Sequence, residues 1–251
     1  MVLFALLISF TLGSFGSEGR SFIEDLAQAD AANLGWVLLG GIIFNASNIL
    51  LSAATSIAGM AVAIICNGLA SGRMSAGNDS GRDSRKGIML AVCAGVLMSF
   101  FYRFVAKAMD IDNFAMPAAG KVTPYTAIFI FSIGVLLSNF IFNTFVMKKP
   151  FVGKPVPFRD YFKGSARTHL VGMLGGAIWC LGTAFSYIAS GQAGAAVSYA
   201  LGQGAPMIAA AWGVFVWKEF KGSDKKTNAL LTLMFVFFIA GLASIVISGG
   251  N

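Results

Sequence analysis

The 251 residues include one histidine and three cysteines, and no aspartate or glutamate falls inside any apolar run long enough to cross a bilayer. Each shortage excludes something. Cys66, Cys93 and Cys180 all lie in apolar segments, with neither a C-x-x-C spacing nor a paired extracellular pattern, so they read as small packing residues. His169 stands two residues after Arg167 at the start of an apolar run, a place for an interfacial or structural role rather than a metal ligand or a catalytic base. There is no P-loop, no H-E-x-x-H and no G-x-S-x-G, and nothing argues for an enzyme, a cofactor or a metal. A proton-coupled exporter of organic cations needs an intramembrane carboxylate as proton carrier and counter-charge, so the lack of one weakens the multidrug-exporter reading.

What is present is apolar. Hydrophobic residues make up 57% of the chain and charged residues 12%, with a mean hydropathy of +0.76, which no soluble domain of this length shows. The net charge of +7 does not point to nucleic acid, because the basic residues are confined to short loops between apolar runs. Taken in order, Met1–Leu12 is apolar but too short to span and reads as the tail of a longer helix. Residues 13–33 form a soluble acidic loop, in which Ser21 with Glu24 three residues on predicts a short capped helix. The apolar tract 34–72 is too long for one crossing, so a break near Ser56–Gly59 is expected, leaving a span Gly35–Thr55 and a stub Ala58–Ala70. Further spans are expected over Gly87–Val105, Pro124–Val146, Leu170–Ser190, Ala193–Trp217 and Ala229–Ser248. The expected fold is all-α, a polytopic membrane helix bundle of about seven to eight helical spans, some of them partial.

The loops 71–86, 147–167 and 218–226 hold 14 of the 18 lysines and arginines. The positive-inside rule makes these loops cytoplasmic and the C-terminus extracytoplasmic, in the plasma (inner) membrane. The lipid bilayer is then the first partner, and nucleic acid is not one.

The stretch Ala193–Glu219 is a span with a weak centre, Gly202-Gln203-Gly204-Ala205-Pro206, where Pro206 lacks a donor and its ring crowds the Gly202 carbonyl. Irregular backbone at membrane depth survives only against protein or a water-filled cavity, so the break at Gly202, Gly204 and Pro206 points to a substrate pathway. The alternative is a kink that serves packing. Beside it, Tyr199 and Gln203 stand at i, i+4, and Ser198 adds a hydroxyl. Amide, phenol and freed carbonyl together suit a neutral ligand rich in hydroxyl or N–H groups. Asn45, Asn48 and Ser52 share one helix face, and Ser132, Asn139 and Asn143 form a second stripe. Buried amides need a partner, which is either a neighbouring helix or a polar solute. Trp179 and Tyr187 offer rings to stack on a sugar or ureide, or ordinary packing.

An offset of 135 residues superimposes Gly40-Gly41-Ile42-Ile43 on Gly175-Gly176-Ala177-Ile178 and Ala58–Val62 on Ala193–Val197, with eight identities over residues 40–63. The charge bias gives the two copies opposite orientation, which makes an inverted repeat of the kind found in secondary transporters. Residues 1–72 form an incomplete first repeat, 73–86 a basic cytoplasmic loop, and 87–251 a complete five-helix second repeat.

The segments GGIIFNASNILLSAATSIAGMAVA, FFYRFVAKAM, GKVTPYTAIFIFSIGVLLSNFIFN and VSYALGQGAPMIAAAWGVFVWKEFKG resemble the glucose/ribose porter and ureide permease branch of the drug/metabolite transporter superfamily. The resemblance implies ten helices in two inverted five-helix repeats around a cavity for a small polar metabolite. Against that pattern the chain lacks the first helix, part of the second, and the continuation after Ala63. The function expected is alternating-access transport of a small neutral solute, a sugar or ureide, with no cofactor beyond a coupling ion, H+ or Na+. A non-transporting remnant, or a half needing a partner chain or a second copy, is the alternative, and a multidrug exporter a further one.

Overall fold

The computed structural model describes residues 1–15, 19–70, 78–114, 116–151, 153–202, 204–216, 218, 221, 222 and 224–249. Within its helices the side chains of 55, 56, 58–70, 78–85, 87, 88, 91, 196, 206, 209, 210, 248 and 249 are not described. The described residues form helices and loops, with a single isolated bridge between Met109 and Val122. The architecture is that of an all-α polytopic membrane protein.

Two short helices open the chain, α1 Val2–Phe10 and α2 Leu12–Phe15, followed by α3 Phe22–Gln28. Ser21 stands at the N-cap of α3 as its sequence predicts, but its side chain makes no cap hydrogen bond. A carboxylate one turn in does the joining instead. Asp25 is fully buried and accepts from Arg20 Nε (3.2 Å), Gln28 Nε2 (3.2 Å), the Thr123 backbone N–H (2.8 Å) and Thr123 Oγ1 (3.0 Å). Arg20 in turn donates to the carbonyls of Pro117, Ala118 and Lys121, so α3 is clasped to the connection ahead of the sixth helix. A buried carboxylate is tolerable because every oxygen is matched by a donor.

The fourth helix, α4, runs unbroken over 40 residues, Ala31–Ala70. The break expected near Ser56–Gly59 does not form. Glycine and serine cost a helix only about 1 kcal/mol or less each, no proline intervenes, and an apolar surrounding offers the backbone no partner but its own next turn. The fifth, α5, spans Asn78–Ala108 and contains the expected run Gly87–Val105. Residues 78–86, expected in a polar loop, are its first turns, since charged and polar side chains are compatible with a helix that projects into water.

Thr123 caps α6, Pro124–Lys148, its hydroxyl accepting from the Thr126 N–H, with Pro124 at the position where a missing donor costs nothing. Ser165 likewise caps α7, Ala166–Ala193. Between these two lies a 3-10 turn, Phe158–Lys163. Gly194, with φ +78, then reverses the chain into α8, Ala195–Gly202. Only glycine takes that backbone conformation without strain. The remainder comprises α9 Gly204–Ala211, a π-helical turn Trp212–Val216 and α10 Lys225–Gly249.

Among the described residues four helical stretches are long and apolar enough to cross a membrane: Ala31–Ala54, Pro124–Lys148, Ala166–Ala193 and Lys225–Ile247. The run Gly87–Val105 lies within α5, and the run Ala193–Trp217 is divided among α8, α9 and the π turn.

The core gathers where α4, α5, α6 and α7 meet. Adjacent glycines set its spacing. A Cβ on Gly40 would stand 2.8 Å from the Val105 side chain of α5, and one on Gly41 would run into the Phe131 carbonyl oxygen of α6. With bare backbone on both faces of one turn, α4 approaches two neighbours at once.

Candidate functional site

At the centre of this crossing five helices bring seven aromatic rings together. Phe44 comes from α4, Phe101 and Tyr102 from α5, Phe131 from α6, Trp179 and Tyr187 from α7, and Tyr199 from α8. Ring centroids are 4.7 Å apart for Phe44 and Trp179, 4.9 Å for Tyr102 and Tyr199, 5.7 Å for Tyr102 and Tyr187, and 6.0 Å for Phe131 and Tyr187. Trp179 and Tyr187 are eight residues apart on α7, close to two full turns, and so reach the same cluster from successive levels. Phe44 and Trp179 are also the pair that the 135-residue offset places at equivalent positions.

A band of hydroxyls borders the rings. Tyr102 donates to the Ser186 carbonyl (3.4 Å), Ser198 Oγ donates to the same carbonyl (2.5 Å), Tyr199 donates to the Met98 carbonyl (3.3 Å) and Ser190 Oγ to the Tyr187 carbonyl (2.6 Å). The reversal at Gly194 makes this possible, because it lays Ser198 and Tyr199 of α8 back against α7. One hydroxyl is left over. Tyr187 is wholly buried, and its phenolic oxygen has no hydrogen-bond partner among the described residues. Leaving such a group unpaired costs roughly 1–3 kcal/mol, a cost that a polar solute would remove. A phenol unpaired among π faces can donate to a carbonyl or accept an N–H while neighbouring rings cover a flat ligand.

The four asparagines do not share one site. Asn45 is buried and donates to Ser138 Oγ (2.9 Å), whose own hydrogen bonds run to the Gly134 and Val135 carbonyls of α6. It joins two helices. Asn48 and Asn143 do meet a space, a cavity of about 330 Å³ bordered also by Ser52, Pro150 and Phe151 near the end of α6. Asn139 accepts from Asn143 Nδ2 (2.9 Å) yet lines a different, almost wholly apolar groove of about 880 Å³ between α1, α6 and α7, together with Ser132. The expected stripe is therefore split between two surfaces.

Of the expected helix break, Gly202 closes α8 and Gly204 opens α9, Pro206 lies within α9, and Gln203 is outside the described residues. Trp179, Tyr187, Ser198 and Tyr199 are brought together. Sequence reasoning missed Phe44, Phe101, Tyr102, Phe131, Ser186 and Ser190 as their neighbours. Ser186 and Ser190 flank Tyr187 at −1 and +3, a small-polar signal that was open to reading. Among the described residues no cluster of His, Cys, Asp and Glu could hold a metal ion.

Residues 76–248, more than half of the chain, match the model of the ureide permease family. The chain belongs to the ureide permease family. Ureide permease 4 of Arabidopsis thaliana is 26% identical over 172 residues, covering 68% of this chain and 43% of that protein. Ureide permease 1 of the same plant is 28% identical over 176 residues, covering 68% and 44%. Transmembrane protein 144 homolog B of Dictyostelium discoideum is 23% identical over 168 residues, covering 64% and 40%. The matched part spans about two-fifths of the length of these relatives, and no solved structure matches. The matches carry the ureide permease half of the resemblance; the glucose/ribose porter half stays an expectation. The family's matched part takes in α5 to α10 with every ring and hydroxyl of the central cluster except Phe44.

Proposed function

We propose that this chain is a membrane carrier for a small neutral metabolite of the ureide class, working by alternating access, and not an enzyme. The observation that carries the reading is the buried hydroxyl of Tyr187, without a partner among the described residues, inside the family-matched aromatic cluster. A ureide is flat and rich in carbonyl and N–H groups. It would take the Tyr187 hydroxyl by hydrogen bond, lie against Trp179, Tyr102 and Tyr199, and meet the hydroxyl band at Ser186 and Ser198. The cavity at Asn48 and Asn143 serves as the inner vestibule of the same route, and opening of the cluster is a tilt of α8 about Gly194. The break at Gly202–Pro206 and the amide of Gln203 belong to this route as well. The basic loops mark the cytoplasmic side. The test is uptake of a labelled cyclic ureide by proteoliposomes containing the purified chain. Saturable uptake, competed by unlabelled ureide and not by a hexose, supports the reading, and uptake no faster than in empty vesicles sinks it.

A second reading, a half that works only with a partner chain, is favoured by the packing of the second half. The apolar part of α10 buries none of its residues within the chain, and Cβ atoms on Gly172 and Gly175 would meet open space where Gly40 and Gly41 are tightly packed. Uptake that appears only after co-reconstitution with a second, different chain would select it.

A further inference from the structure

The segment joining α6 and α7 holds a chemistry that neither the helix packing nor the transport reading uses. Six basic residues, Lys148, Lys149, Lys154, Arg159, Lys163 and Arg167, stand against one acid, Asp160, which pairs with Lys163. The 3-10 turn within it places three rings against one another, with centroids 6.3 Å apart for Phe158 and Tyr161, 5.8 Å for Phe158 and Phe162 and 5.5 Å for Tyr161 and Phe162. These rings do not go inside. Phe158, Tyr161 and Phe162 are 49%, 59% and 70% exposed.

The turn is also held in place. The Val156 N–H donates to the Met147 carbonyl (3.1 Å), folding the segment back onto the end of α6, and the Tyr161 ring packs edge-on against His169 of α7 at 5.0 Å. Both flanking helices are long and apolar enough to cross the bilayer, so the turn sits at the level where they leave it. Exposed aromatic rings next to cations that, Lys163 apart, have no ion pair among the described residues fit a bilayer surface that is apolar beneath and negatively charged above. A free anion would leave the rings without a role, and a protein partner would have to compete with the bilayer surface at this level.

We propose that residues 148–163 form a docking surface for anionic lipid headgroups, with Phe158, Tyr161 and Phe162 set into the headgroup–acyl boundary and Lys148, Lys149, Lys154 and Arg159 on the lipid phosphates and carboxylates. The surface is independent of whether the chain carries a ureide.

The test is hydrogen exchange of the 156–164 amides in the intact chain, in nanodiscs of phosphatidylcholine alone and in discs with roughly a third phosphatidylserine. Exchange is expected to slow several-fold in the anionic discs, and the difference to vanish at about 1 M salt. A variant with Lys148, Lys149, Lys154 and Arg159 changed to Gln loses the same difference; the salt arm stands even where that variant folds poorly. Equal exchange in both discs overturns the proposal. So does protection in neutral discs on adding inorganic phosphate, which marks a free-anion site, and protection in detergent that grows with protein concentration, which marks an interface between copies.

Discussion

Tyr187 concentrates the functional argument in one oxygen atom. Because its hydroxyl is buried and unpaired among the described residues, Tyr187→Phe removes a cost rather than a bond, and the thermal midpoint is expected to rise, with a stability gain of about 1–3 kcal/mol. Ureide uptake by the same variant is expected to fall roughly tenfold, the worth of one hydrogen bond to substrate. A variant that loses stability and keeps its uptake contradicts the role given to this residue. Asp25 is the opposite case. Its carboxylate pairs with Arg20 and accepts the Thr123 N–H, and Asp25→Ala strands that N–H and takes the counter-charge from Arg20, at about 3 kcal/mol, near the lower limit for a broken buried pair because Arg20 keeps its carbonyl partners and can still reach water. Denaturation of the purified variant in detergent measures that loss. From the sequence, Asp25 was one acid among several in a polar loop; Arg20 and Gln28 stand near it in the chain, but Thr123, which buries and fixes it, is 98 residues away.

At the scale of elements, α6, α7 and α10 were legible in outline because hydrophobicity is local, while the run Ala193–Trp217, expected as one span weak at its centre, is divided among α8, α9 and the π turn. Thr123-Pro124 and Ser165 mark starts, and Gly194 marks the reversal. The helix α4 was misjudged for a physical reason: length alone suggested an interruption, whereas weak breakers without a proline do not stop a helix that has no alternative hydrogen-bond partners. The paired glycines show a further limit. Gly40-Gly41 and Gly175-Gly176 look alike in sequence, but only the first pair is pressed between two helices, while Gly175 faces open space. Gly41→Ala is expected to cost about 1–3 kcal/mol by pushing α4 off α6, while Gly172→Ala on α7 stays within about 0.5 kcal/mol. Parallel melts of the two variants check the contrast, and an equally damaged Gly172→Ala shows that its face is covered after all. Asn45 falls on the same side of the ledger: which of its two roles it took depended on Ser138 lying opposite, and that is a property of two helices.

Across the whole molecule, the charge bias yields a topology that labelling can check. A cysteine at Lys154 is expected to react with a membrane-impermeant maleimide only from the cytoplasmic side, and one at Asp112 only from the outer side. Reaction of both from the same side removes the topology and the inverted repeat together. Composition and periodicity by themselves determined that the chain lives in a membrane, that it is helical, and that its cations lie in a few loops, because the transfer of apolar and charged groups between water and hydrocarbon is set residue by residue. Tertiary structure alone decided which polar side chains are helix joints, which border a cavity and which, like the Tyr187 hydroxyl, have no partner among the described residues. Hydrogen-bond satisfaction is settled by what lies across from a residue, and for Tyr187 that is the meeting of α5 and α6, which no stretch of sequence contains.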